Sequence, residues 1–181
     1  HQDRILPMAQ IPLDAAVAEV ERVANLGFRG VTVPAKPEYG PTGMDKRNYN
    51  QPEFEPLWSA LENADLPLTI HVSTGRDPCA ESGPGGAVIN YAVHCCAASQ
   101  EPVANLVASG VLERHPKLRF ATIEAGIGWV SWLLEAMDEA FYKHRMWVAP
   151  ELKDPPSYYY RRQCFASFGE DTSGLALGVS R

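Results

Sequence analysis

The sequence predicts an α/β fold built on parallel strands, and three observations carry that prediction. Short apolar runs alternate strictly with amphipathic stretches along the whole chain, the rhythm of strands joined by right-handed crossover helices. The runs themselves are apolar almost throughout, as in strands covered on both faces. Polar residues then cluster just after the runs, where parallel strands bring their C-terminal ends to one rim.

Each element has a local reason. Ile5 to Pro12 reads as a first strand ending at a proline, and Asp14 offers a helix N-cap. Val17, Val20 and Ala24 follow at helical spacing, and Gly27 sits where a helix C′ glycine belongs. Gly30 to Pro34 is a second strand. The stretch from Ala35 to Gln51, rich in Pro, Gly, Asn and Lys, reads as a long binding loop. Pro56 opens a helix, and Leu68 to Val72 forms the third strand. A loop with Gly83, Gly85 and Gly86 leads to an apolar helix around residues 87–98, and Pro102 restarts a second one to about Ala108. Leu118 to Ile123 is the fourth strand. A long helix follows, with Val130, Leu133, Leu134, Met137 and Phe141 along one stripe. Ser157 is placed to cap a short helix through Arg162, and Cys164 to Phe168 is the fifth strand. In the Tyr158 to Arg162 run, the aromatics are expected inward and the arginines in solvent.

The 181 residues show no composition break and read as one domain, 1–181. Hydrophobic residues at 45% and charged residues at 21% are ordinary for a globular chain. A net charge of −6 argues against nucleic acid as a partner, since phosphate binding needs a basic face. No apolar run approaches the ~18 residues of a membrane span, and no targeting signal is evident. Cys79, Cys95, Cys96 and Cys164 fit no zinc pattern and read as free thiols in a reducing cytoplasm. The chain begins and ends abruptly, which reads as a fragment of a longer protein.

The rim residues carry the functional signal. The third strand ends at His71, with Ser73, Thr74 and Arg76 beyond. The fourth ends at Glu124, before Ala125-Gly126-Ile127-Gly128-Trp129, and the fifth ends near Ser167, with Glu170 and Asp171 next. A neutral imidazole at a strand end serves as a metal ligand or general base; its structural alternative is a histidine satisfied by a backbone carbonyl. A carboxylate after an apolar strand is costly unless paired, so Glu124 is either functional, paired with Arg76, or a cap for the 126–128 turn. His115 precedes a strand at the opposite rim and reads as structural. His94 reads as a packed or surface histidine, and Trp129 and Trp132 as core or pocket wall. Five parallel strands fit either an open doubly wound sheet or part of an eight-stranded barrel. No GxGxxG follows a strand, and Gly126-Ile127-Gly128 is a partial echo of it.

These residues, with Leu26-Gly27-Phe28-Arg29-Gly30-Val31, Phe54-Glu55-Pro56-Leu57-Trp58, Leu66-Pro67-Leu68-Thr69-Ile70-His71, Gly110 to Arg119, Glu124 to Trp129, Leu134 to Asp138 and Ser167-Phe168, resemble the amidohydrolase-related family in order along the chain. The likeness is to its aminocarboxymuconate semialdehyde decarboxylase-like branch. The resemblance implies a partial (β/α)8 barrel, roughly strands three to seven. It implies a divalent metal, commonly zinc, and decarboxylation or hydrolysis of a small carboxylated or cyclic compound. His71 matches the fifth-strand metal histidine, Glu124 the catalytic position, and Arg76, Trp129 and Ser167 candidate substrate contacts. The family's His-x-His pair and closing aspartate have no counterpart between His1 and Arg181, so this polypeptide alone is expected to be inactive. Many decarboxylase-like members carry histidine where this chain has Glu124; others carry glutamate followed by glycine and tryptophan, as here. Two other readings stay open. One is a non-catalytic truncated barrel that binds a partner, a second copy included, through its open edges. The other is an open sheet that binds an anion at the Gly126-Ile127-Gly128 helix start.

Overall fold

Five parallel strands lie side by side in chain order, with no reversal anywhere in the sheet. The computed structural model describes residues 4–37, 48–75, 81–148 and 152–179. The strands are β1 (Met8–Gln10), β2 (Gly30–Lys36), β3 (Leu68–Gly75), β4 (Phe120–Ile123) and β5 (Cys164–Ala166). Between them run α1 (Ala16–Asn25), α2 (Glu55–Asn63), α3 (Gly86–Ile89), α4 (Gln100–Ala108), α5 (Val111–Arg114), α6 (Gly128–Val148) and α7 (Pro156–Gln163), and α8 (Thr172–Val179) follows β5.

Burial along the strands separates the two architectures that the sequence allowed. Val31, Val33, Leu68, Ile70 and Phe120 are fully covered by Val20, Trp58, Leu61, Leu106 and Tyr159 of the helices and their neighbours. The alternate residues Thr32, Pro34, Thr69, His71, Ala121 and Ile123 are only partly covered. The register links Gln10, Thr32, Thr69, Ala121 and Phe165 into one row across the sheet, with Pro34, His71 and Ile123 in the row above. Helices cover one face, and the other is the wall of a barrel interior. A doubly wound sheet would place helices on both faces and reverse its strand order; sequential order with one covered face is a segment of a (β/α)8 barrel. The polar row is why: Thr32 and Thr69 satisfy each other at 2.7 Å between hydroxyls, and Thr69 also donates to the Val31 carbonyl.

Several boundaries move. Asp14 lies in a 3₁₀ turn and makes no capping bond. The chain is helical without a break from residue 86 to 108, with a π-helical stretch at Asn90–Cys96. Pro102 falls in the first turn of α4, just after the 3₁₀ turn at Ala97–Ser99. Ser157 does not cap α7; its backbone N–H donates to Asp138 instead. Of the loop from Ala35 to Gln51, residues 38–47 lie outside the described set, and Tyr49 returns to pack edge-on against Phe54 and Trp58. Tyr159 and Tyr160 point inward as expected, whereas Tyr158 is exposed, and Arg162 turns back over the Tyr158 and Tyr159 rings and donates to the Leu112 carbonyl. Cys95, Cys96 and Cys164 are free; Cys79 lies outside the described residues. No helix among the described residues is long and apolar enough to cross a membrane.

At the N-terminal rim His115 is buried, as its structural reading requires. Its Nε2 lies 2.9 Å from Glu55 and its Nδ1 3.1 Å from Glu62. Arg114 grips the same Glu55 with two bonds, and the Lys117 backbone N–H donates to Glu62. This knot joins α2 to the β4 entrance, far from the polar strand ends.

Candidate active site at the C-terminal rim

β3 places His71 on the open face, one row below the rim. The ring Nδ1 lies 2.9 Å from the Val72 carbonyl oxygen. A carbonyl only accepts, so Nδ1 carries a proton and Nε2 is the ring nitrogen that points outward. Nε2 stands 2.8 Å from Glu124 Oε2. An imidazole lone pair and a carboxylate oxygen both accept, so this approach needs a proton or a cation between them. Both side chains remain open to solvent, at 43% and 66% exposure, so a ligand can reach them.

Two hydroxyls hold the backbone around this pair. Thr74 Oγ1 donates to the His71 carbonyl at 2.7 Å and accepts the Ala35 N–H at 2.8 Å. Ser167 Oγ accepts the Glu124 N–H at 3.0 Å. Both Ser73 (φ 60°) and Glu124 (φ 61°) adopt the left-handed conformation, which residues with a Cβ seldom take and which concentrates at functional sites. Gly75 (φ 91°) ends the β3 bulge, and a Cβ there would fall 1.8 Å from the Lys36 carbonyl oxygen. Thus the turn at each strand end is fixed by contacts to the neighbouring strand.

The structure brings His71, Glu124 and Ser167 together. Trp129 packs against the core, its indole N–H donating to the Ala125 carbonyl at 2.8 Å. Arg76, and with it the proposed pairing to Glu124, lies outside the described residues.

Asp171 overturns the anion reading of the Gly126-Ile127-Gly128 turn. Its Oδ2 accepts both the Ile127 and Gly128 N–H groups at 2.7 Å, and its Oδ1 accepts the Gly174 N–H at 2.8 Å. The chain's own carboxylate thus fills the start of α6 that an anion would need. Those backbone donors, Ile127 first, hold the Asp171 carboxyl below the ordinary carboxylate range. Gly174 fits so tightly that a Cβ would lie 2.6 Å from the Gly128 nitrogen. Asp171→Ala should lower stability by about 1–2 kcal/mol, the usual worth of an N-cap, in urea unfolding at pH 7. Because the folded carboxyl titrates lower than the unfolded one, that difference is present above pH ~4 and fades as pH falls through the folded value.

His71 and Glu124 suit a divalent cation as two members of a ligand set, one neutral imidazole and one carboxylate. Among the described residues no group of three or more His, Cys, Asp and Glu is placed to hold a metal. A complete set of three or four ligands therefore draws on further donors.

Comparison with known proteins agrees with this architecture. The gamma-resorcylate decarboxylase of Rhizobium sp. (strain MTP-10005) is 30% identical over 188 residues, covering 93% of this chain and 50% of that protein. The chain thus spans about half the length of the relatives it matches. An amidohydrolase from Mycobacterium avium subsp. paratuberculosis K-10 superposes with a TM-score of 0.74 at 23% identity, over 94% of this chain and 44% of the other. The 5-carboxyvanillate decarboxylase of Novosphingobium aromaticivorans DSM 12444, solved with bound manganese, superposes with a TM-score of 0.70 at 19% identity, over 93% and 48%. The amidohydrolase family profile matches residues 1–173, so a one-sided parallel sheet with a histidine and a glutamate meeting at its C-terminal rim belongs to the amidohydrolase family.

Proposed function

We propose that the intact protein is a metal-dependent carbon–carbon lyase that removes CO2 from a small carboxylated aromatic compound, with His71 as a metal ligand and Glu124 as the proton-transfer group. The observation that carries this reading is the 2.8 Å approach of His71 Nε2 and Glu124 Oε2 at an open rim. The 30% identity to a gamma-resorcylate decarboxylase supports the reaction class. Zinc is the first candidate, since imidazole and carboxylate are ordinary zinc ligands. The manganese in the carboxyvanillate relative makes that ion the competitor.

When bound, the metal supplies Lewis-acid polarisation of substrate oxygens. The Val72 carbonyl engages Nδ1, so Nε2 would be the His71 atom that holds the cation. Glu124, reached from solvent, picks up a proton and delivers it to the ring carbon that bears the carboxylate. The new carbon–hydrogen bond forms, the carbon–carbon bond breaks, and one CO2 leaves for each proton taken up. The Trp129 ring forms one wall of the substrate pocket, and Ser167, whose Oγ accepts from Glu124 while its own proton stays available, contacts the substrate.

Hydrolysis is the second reading, because a carboxylate at position 124 equally well takes a proton from water. Incubating the intact protein with gamma-resorcylate in D2O separates the two. Release of CO2 with one solvent deuteron in the ring product supports the lyase. Turnover of esters or amides of the same acids, without CO2, supports hydrolysis. Either activity should vanish on chelation and return with Zn2+ or Mn2+; a metal-loaded protein inert to both substrate types, or activity that survives chelation, overturns the reading.

A further inference from the structure

Glu124 reaches His71 only because the backbone abandons the strand at that residue. Along β4, Phe120 and Thr122 face the helices, and Ala121 and Ile123 face the open side. A strand continued by one residue would turn position 124 back toward the helices. At φ 61° Glu124 breaks the alternation, and its carboxylate crosses to His71 on the neighbouring strand. That conformation is disfavoured for a residue with a Cβ, so a partner must hold it. The partner in contact is Ser167. Its N–H donates to the Thr122 carbonyl at 2.9 Å, extending the β4–β5 ladder by one step, and this fixes its hydroxyl under the Glu124 N–H at 3.0 Å.

We propose that Ser167 is a positioning residue: its hydroxyl locks the left-handed turn at Glu124 and so aims the carboxylate at His71. The inference rests on the reading of His71 and Glu124 as a cation site and adds a residue that acts through one of them. Thr74 plays the matching part on β3, where its hydroxyl ties the carbonyl of His71 to the N–H of Ala35.

The test is Mn2+ binding to the intact protein by calorimetry, alongside hydrogen exchange of the Glu124 amide. Ser167→Ala should weaken Mn2+ binding by about 10–100-fold, the usual cost of losing a group that orients a ligand. It should also speed exchange of that amide, and Ser167→Thr should restore both. Unchanged affinity in Ser167→Ala, while Glu124→Gln and His71→Asn bind weakly, overturns the positioning role and leaves the cation site standing. Equal loss in the alanine and threonine variants overturns it too, because packing rather than the hydroxyl would then be responsible. Unchanged affinity in Glu124→Gln and His71→Asn rejects the cation site itself. Should the alanine variant fail to fold, Ser167→Cys reads the same quantity, since a thiol keeps the volume but accepts poorly.

Discussion

Exchanging His71 for asparagine, or Glu124 for glutamine, should cut kcat/KM of the intact protein by about 10²–10⁴-fold, the range for losing a group that moves or orients a proton in the transition state. The two variants should differ in kind. His71→Asn removes the lone pair that faces Glu124, so metal content falls with activity. Glu124→Gln replaces the carboxylate by a neutral amide, so metal binding weakens too, but it also cannot transfer a proton, so kcat falls further than metal content does. Metal analysis of the purified variants, beside steady-state kinetics, checks both. Full activity in Glu124→Gln would remove the carboxylate from the chemistry.

The largest stability effect should come from the other end of the sheet. His115→Ala leaves Glu55 and Glu62 facing an empty, largely buried space, and breaking a buried ionic contact by removing one partner costs about 3 kcal/mol at the lower end of the known range. The lower end applies because Glu55 is still 37% exposed and keeps Arg114. Urea unfolding at pH 7 measures it. Arg114 chiefly, then His115, holds the Glu55 carboxyl below its ordinary range. Burial pushes Glu62 up, but the Lys117 N–H and the His115 ring outweigh it, so this carboxyl also lies low. The stability these carboxylates contribute is therefore present above the unfolded value near pH ~4 and is lost as pH falls through the folded values. The wild-type and His115→Ala curves should converge on the acid side. Activity per folded molecule should be unchanged, because the knot lies at the rim opposite His71 and Glu124.

Much of the architecture is legible in the residues. The alternation of apolar runs and amphipathic stretches yields all five strands in order, since period and chain connectivity are local properties. His71 and Glu124 stand out because a titratable group directly after an apolar strand has few inexpensive explanations. His115 reads correctly as structural from its place before a strand. The coverage of the sheet is not legible. Thr32, Thr69 and Ala121 sit among apolar neighbours, and only the register shows that they share one uncovered row. The anion reading of the 126–128 turn fails for a similar reason, because a turn in isolation does not reveal which carboxylate will fold onto it.

The sequence by itself determined the order of the elements, the parallel sheet and the two chemical groups at its rim, because each follows from periodicity and from what burial costs a polar side chain. Even half of Asp171 was within reach, as an N-cap to the Gly174 N–H three residues on. The tertiary structure alone decided that this carboxylate also closes the Ile127–Gly128 turn, 44 and 43 residues away, and that Glu124 turns left-handed under Ser167 to meet His71. Local preference runs against that turn, and only hydrogen bonds between strands distant in sequence are strong enough to impose it.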